Sequence, residues 1–234
     1  MKKKIIITLI AILIPILIIV ISLYSSGVTQ QESIEWVKRN NGNIEFEIKD
    51  WAKSIPSESS KNLIGKRVTA VSINDSEVDN LKKLEVFLDC ETVKIQDCKV
   101  SDFSSIGLLP KIKKLHILGS NLQDLKFIKT LENLEYLELA NNSDLDLSAL
   151  KDLKKLKVLK LNGSEIKNIA PLRNLEQIEV IDLTSTKVEN ILPLQSLKNL
   201  KELHIEETNI PQQHITHIQK AIQTCKISTS TNQL

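Results

Sequence analysis

Apolar residues recur in this chain on a fixed period of 22. Seven repeats start at Val68, Cys90, Ile112, Leu134, Leu156, Ile178 and Leu200. Apolar pairs follow each start at offsets of three and five: Val71 and Ile73, Val93 and Ile95, Leu115 and Ile117, Leu137 and Leu139, Leu159 and Leu161, Ile181 and Leu183, Leu203 and Ile205. Such a period specifies a stack of like units rather than a globule, because no unit can bury its apolar stripe alone. Offsets three and five lie two apart, so both side chains leave a short strand on one side, which must be the core. The second half of each repeat changes period. Leu122, Leu125, Ile128 and Leu131 step by three, as do Ile166, Ile169, Leu172 and Leu175, and Val188, Ile191, Leu194 and Leu197. Steps of three suit a 3₁₀ turn, in which residues i and i+3 eclipse. Each repeat therefore reads as a strand, a tight corner and a compact return.

The run Leu156-Lys157-Val158-Leu159-Lys160-Leu161-Asn162-Gly163-Ser164-Glu165-Ile166 is followed by Ile169, Pro171 and Leu172, with Ile191, Pro193 and Leu194 in register one repeat later. This pattern resembles the leucine-rich repeats of bacterial internalin-type proteins. The resemblance covers residues 68 to about 227. It implies an α/β repeat solenoid: a curved array of about seven short parallel strands with 3₁₀ or irregular returns, an N-terminal α/β cap and a C-terminal helical cap. One departure falls at offset eight, where the family often has Asn. Here stand Ser76, Cys98, Ser120, Asn142, Ser164, Thr186 and Thr208. Ser and Thr still hydrogen-bond a buried corner, with fewer donors. The repeat 134–155 carries its apolar return at Leu145 and Leu147, which predicts a rearranged corner.

The ends divide the chain further. Residues 1–27 hold Lys2, Lys3 and Lys4 and then an apolar run over 5–23. As a helix that run spans about 28 Å, close to a bilayer core of ~30 Å. The lysines predict a cytoplasmic amino end and a remainder outside the cytoplasm. Two readings stand: an uncleaved signal-anchor, or a signal peptide cleaved near Ser25, Ser26 and Gly27, leaving a secreted protein. Residues 28–67 read as the N-terminal cap. Thr29 and Glu32 fit a capping box for a helix through Ile34, Trp36 and Val37. Asn41-Gly42 ends it, Ile44, Phe46 and Ile48 alternate as a strand, and Trp51, Ile55, Leu63 and Ile64 cover the core. The repeats occupy 68–210. Residues 211–227 read as the C-terminal cap, with Pro211 opening a helix striped by Ile215, Ile218 and Ile222, then Cys225 and Ile227 in a last strand. Residues 228–234 read as a solvated tail.

Chemistry is sparse. The net charge is +2, and three lysines sit in the leading cluster, so the rest is close to neutral. That argues against nucleic-acid binding, which needs a basic face. Cys90, Cys98 and Cys225 read as three buried thiols. His204, His214 and His217, near Glu206 and Glu207, are the only residues that resemble metal ligands, and their spacing lacks a metal signature. No nucleophile elbow, phosphate loop or cofactor fingerprint is present, so no catalytic residue, cofactor or metal is assigned. Nothing fixes an oligomeric state.

The inner face of the sheet is more informative. Offset four runs Ser72, Lys94, His116, Glu138, Lys160, Asp182, His204, and the bland account pairs Glu138, Lys160 and Asp182 across strands. Offset two brings Tyr136, Val158 and Val180 together, and offset six adds Leu118 and Ala140. An apolar patch ringed by charge marks a protein-binding surface. The candidate contact residues are Lys94, His116, Leu118, Tyr136, Glu138, Val158, Lys160, Val180 and Asp182, with Tyr136 exposed as the aromatic anchor. The expected role is non-enzymatic recognition of a protein partner whose identity the residues do not give. The alternatives are an inhibitor or immunity-type partner masking a toxin or hydrolase, a peptide or glycan ligand and, by way of the three histidines, a metal-dependent enzyme.

Overall fold

The computed structural model describes residues 30–48, 66–120 and 122–230. The apolar run at 5–23, Thr29, Trp51, Ile55, Leu63 and Ile64 lie outside the described residues. Among the described residues, no helix is long and apolar enough to cross a membrane.

Helix α1 (Gln30–Arg39) opens the described part, with Val37 and Ser33 buried beneath it. It stops where Asn41 takes φ 51° and the Gly42 N–H reaches the Val37 carbonyl at 2.9 Å. A side chain on Gly42 would meet Ser72 and Val37 backbone atoms within 2.7 Å, so the turn needs glycine. Strand β1 (Asn43–Ile48) then pairs antiparallel with β2 (Lys66–Asn74).

From β2 onward the sheet is parallel. The strands β3 (Thr92–Gln96), β4 (Lys114–Leu118), β5 (Tyr136–Glu138), β6 (Val158–Lys160), β7 (Val180–Asp182), β8 (Glu202–His204) and β9 (Lys226–Ser228) follow in chain order. The register sets Val71 beside Val93, Leu115, Leu137, Leu159, Ile181 and Leu203 in turn. This row is at most 2% exposed. Burying each such side chain contributes about 1.5–3 kcal/mol, and each needs the repeat on either side to seal it.

The returns of the first six repeats are short 3₁₀ turns, from Lys82–Leu84 to Leu192–Ser196. Each closes with an N–H reaching back three residues, as Ile128 does to Leu125 at 3.1 Å and Leu172 to Ile169 at 3.0 Å. The turn in the repeat 134–155, Leu147–Asp152, is one residue longer than its neighbours, with Leu145 and Leu147 buried. The corners between strand and return repeat one conformation. Asp97, Gly119, Asn141, Gly163, Ser185 and Glu207 all have φ between 53° and 69°.

The offset-eight residues sit beneath these corners. Ser164 is 1% exposed, accepts the Asn142 N–H at 3.1 Å and donates to the Leu139 carbonyl at 2.8 Å. Asn142 reaches further: its Nδ2 donates to the carbonyls of Ile117 and Ala140. Thr186 and Thr208 bond within their own corners. Ser76 departs from this row; it is exposed and faces Glu77.

The C-terminal end closes the stack. Helix α2 (Gln212–Ala221) buries Ile215 and Ile218 against the last return. Strand β9 extends the sheet, with Ile227 beside Leu203. The expected solvated tail begins later than residue 228: Ser228 pairs with His204, and the Ser230 hydroxyl accepts the Glu207 N–H at 2.8 Å. Cys90 and Cys98 are buried free thiols, but Cys225 is only half-buried because it lies on the last, uncovered strand layer. Burial pushes the Cys90 thiol up to about 12 and Cys225 to about 11.

Candidate protein-binding face

Lys94, His116, Leu118, Tyr136, Glu138, Val158, Lys160, Val180 and Asp182 all project from the strand face opposite the core, and all are half-buried. The strand alternation puts them there: the intervening residues are the core row. Ala140, expected beside them, is 4% exposed and belongs to the corner instead.

The centre of this face is a fixed cluster. His116 Nδ1 lies 2.7 Å from Glu138 Oε2, and the Tyr136 hydroxyl donates to the same oxygen at 3.1 Å. The His116 and Tyr136 rings stand 4.8 Å apart between centroids. Lys160 Nζ sits 5.9 Å from the Tyr136 ring centroid, within cation–π range. Burial, and then the Glu138 carboxylate, pushes the Tyr136 hydroxyl up to about 12, so it stays a neutral donor.

This corrects two expectations. Tyr136 is half-buried rather than exposed, because Glu138 and His116 draw its ring down onto the sheet. The Glu138–Lys160–Asp182 row does not pair by charge. The backbone places these three side by side, but Glu138 turns to His116 and Tyr136, and Asp182 accepts the Thr184 N–H at 3.0 Å. Two short donors held at one oxygen need less ordering than a lysine stem, whose immobilisation costs up to ~2 kcal/mol.

Two ladders went unread in the sequence. At offset one, Glu91, Lys113, Glu135, Lys157, Glu179 and Lys201 alternate in sign along one rim of the sheet. Lys113 meets Glu91 at 2.9 Å and Lys157 meets Glu135 at 2.8 Å, with Lys201 and Glu179 paired beyond. The Lys157 ammonium holds the Glu135 carboxyl below its usual range. On the return side, Asp102, Asp124, Asp146, Asn168 and Asn190 each accept the N–H two residues ahead, at 2.8–3.0 Å. That bond lowers the three aspartates. Both ladders were findable, since each repeats with the period of the chain.

The return side also carries a groove of about 400 Å³ beside Leu108 and Phe127. Leu108 is 60% exposed, and Phe127 stacks on Phe103 at 5.8 Å. The structure does not bring the three candidate histidines together. His204 lies on the sheet face, 3.6 Å from Glu202 and 4.0 Å from Glu206. His214 and His217 face the return side, against the Glu189 carbonyl and the Gln195 side chain. Among the described residues, no three His, Cys, Asp or Glu side chains are grouped to hold a metal ion.

No family model matches the chain, and no curated protein matches its sequence. Solved structures do match. Internalin C2 of Listeria monocytogenes is similar at 22% identity with a TM-score of 0.63, over 69% of this chain and 71% of that one. A second internalin of that organism, InlF, gives 19% and 0.51, over 67% of this chain and 52% of its own. A leucine-rich-repeat protein of Leptospira interrogans gives 25% and 0.57, over 67% of this chain and 41% of its own. The fold is a leucine-rich-repeat solenoid. The candidate residues thus lie on the strand face of a leucine-rich-repeat sheet.

Proposed function

We propose that this chain is a non-enzymatic recognition module that holds a protein partner on the inner face of its sheet. The Tyr136–Glu138–His116 cluster carries the reading. An aromatic with an apolar body and a polar tip suits an interface anchor. Fixing it before the partner arrives removes ordering cost from binding. Leu118, Val158 and Val180 beside it are half-open, with no described element over them. The charged residues around them supply a polar rim.

The lysine cluster and the apolar run at 5–23 support a signal-anchor that leaves the repeats outside the cytoplasm. Protease added to spheroplasts then digests the repeat domain; protection equal to that of a cytosolic marker reverses the topology. Retention in the membrane pellet after alkaline washing distinguishes the anchor from a cleaved signal. For the face itself, a photoreactive side chain at Val158 in native membranes should give a crosslinked protein band that Tyr136→Ala removes. A band of equal strength from the same probe at Lys151, on a return, refutes the assignment.

A further inference from the structure

Toward its two ends the inner face carries charge of one sign on neighbouring strands, unlike the alternating rim. The rim ladder alternates and pairs off. Inside it, β3 and β4 present Lys94 and Lys114 beside His116, which is held by Glu138, while β7, β8 and the corner after β8 present Asp182, Glu202 and Glu206. Neither Lys94 nor Lys114 makes an ion pair with a described residue. At the other end, Thr184 donates to Glu206 at 3.0 Å, and His204 adds charge only when protonated. Among the described residues no lysine or arginine pairs with these three carboxylates, although Lys226 of β9 stands beside Glu202. Between the two ends lie Tyr136, Val158 and Val180, together with Glu138, held by His116 and Tyr136, and Lys160, set over the Tyr136 ring. The basic end also has a hollow of about 180 Å³, floored by Ala70, Ser72 and Thr92 and walled by Lys94 and His116. That is below the ~300 Å³ of a small-molecule site and suits one side chain. Glu45 of β1 also borders it, two strand spacings, or ~10 Å, from β3, about one Debye length.

The dimensions narrow the partner. Strands β5 to β8 are three residues long, so the strip is about 10 Å wide at ~3.3 Å per residue. Five strand spacings of ~4.8 Å separate β3 from β8, about 24 Å, which an extended chain covers in about seven residues.

Resting on the inner-face reading above, we infer that the partner contributes an extended segment laid across the strands. It carries an acidic side chain over Lys94 and Lys114, an apolar or aromatic side chain against Val158 and Val180, and a basic side chain over Glu202 and Glu206, about seven residues from the acid. A partner of this polarity neutralises the charge left at both ends, and its charges fix the direction in which the segment lies.

The test uses the full chain, held in non-ionic detergent, and a display library of random-sequence peptides long enough to span the strip. Enriched peptides should carry an acid and a base about seven residues apart around an apolar residue. Lys94→Glu with Lys114→Glu should weaken them on the order of tenfold or more, as should Glu202→Lys with Glu206→Lys, with melting unchanged. Raising salt should weaken binding by the wild-type chain. Peptides that lose binding with Tyr136→Ala and Val158→Ser but show no charge order overturn this inference and leave the inner-face reading standing. Peptides indifferent to those two substitutions overturn the inner-face reading itself.

Discussion

Ser164 is the sharpest test of how one repeat is fastened to the next. Its hydroxyl accepts from the Asn142 N–H, 22 residues earlier, and donates to the Leu139 carbonyl, 25 residues earlier. Ser164→Ala leaves both backbone groups without these partners in a site with 1% exposure. Each orphaned buried group costs about 1–3 kcal/mol, so the loss for two should be about 2–6 kcal/mol. At ~2–4 °C per kcal/mol for a domain of this size, the melting temperature falls by roughly 4–24 °C. Circular dichroism melts of the full chain measure that, and hydrogen exchange adds a local reading: Asn142 should lose protection ahead of Leu137. Ser164→Asn should cost less, because Asn142 already spans the preceding corner with side-chain bonds to Ile117 and Ala140. Unchanged melting together with a still-protected Asn142 amide in the alanine variant would refute the idea that corner hydroxyls tie repeats together.

Three further outcomes follow from the same geometry. Leu159→Asp buries an unpaired carboxylate in the core row and should abolish cooperative thermal unfolding; a wild-type melt would mean the row is not continuous. The folded-state pKa values of Asp102, Asp124 and Asp146 are lowered, so their stabilising contribution is present above the ordinary carboxylate range and fades as pH falls through the lowered values, below about pH 4. Replacing all three by Asn, as Asn168 and Asn190 already stand, should keep the turns and flatten that acid limb in urea titrations; an unaltered limb assigns it to other groups. Gly163→Ala forces a side chain into φ 69° and against the Asn141 carboxamide, and should cost about 1–2 kcal/mol or more; an unchanged melt would deny the corner its left-handed strain.

The stacking of this fold was legible because parallel in-register pairing turns equal offsets into neighbours. Once Val93 and Leu115 occupy the same place in their repeats, their contact follows. Side-chain partnerships within the face were not legible in that way. Glu138 has Lys160 as its backbone neighbour on one side and His116 on the other, and the period gives no preference between them. The choice depends on Tyr136, whose hydroxyl reaches the same carboxylate and favours the His116 side. Tyr136 therefore read as exposed when it is half-buried, and Ala140 read as part of the patch when the corner covers it. Leu108 escaped notice for the opposite reason. It breaks the pattern, since Thr130, Asp152, Asn174 and Ser196 hold its place in later repeats, and a reading built on agreement passes over exceptions.

The rim ladder gives the molecule two different repeat lengths. For the backbone, one repeat is the unit. For the charges the unit is two repeats, because Glu and Lys alternate from Glu91 to Lys201. Excising residues 134–155 would preserve the register of the strands yet set Lys113 against Lys157. Excising 134–177 would set Lys113 against Glu179 and restore the alternation. Length changes in this solenoid are thus free of penalty at its rim only in even steps, a parity rule that the backbone alone does not impose.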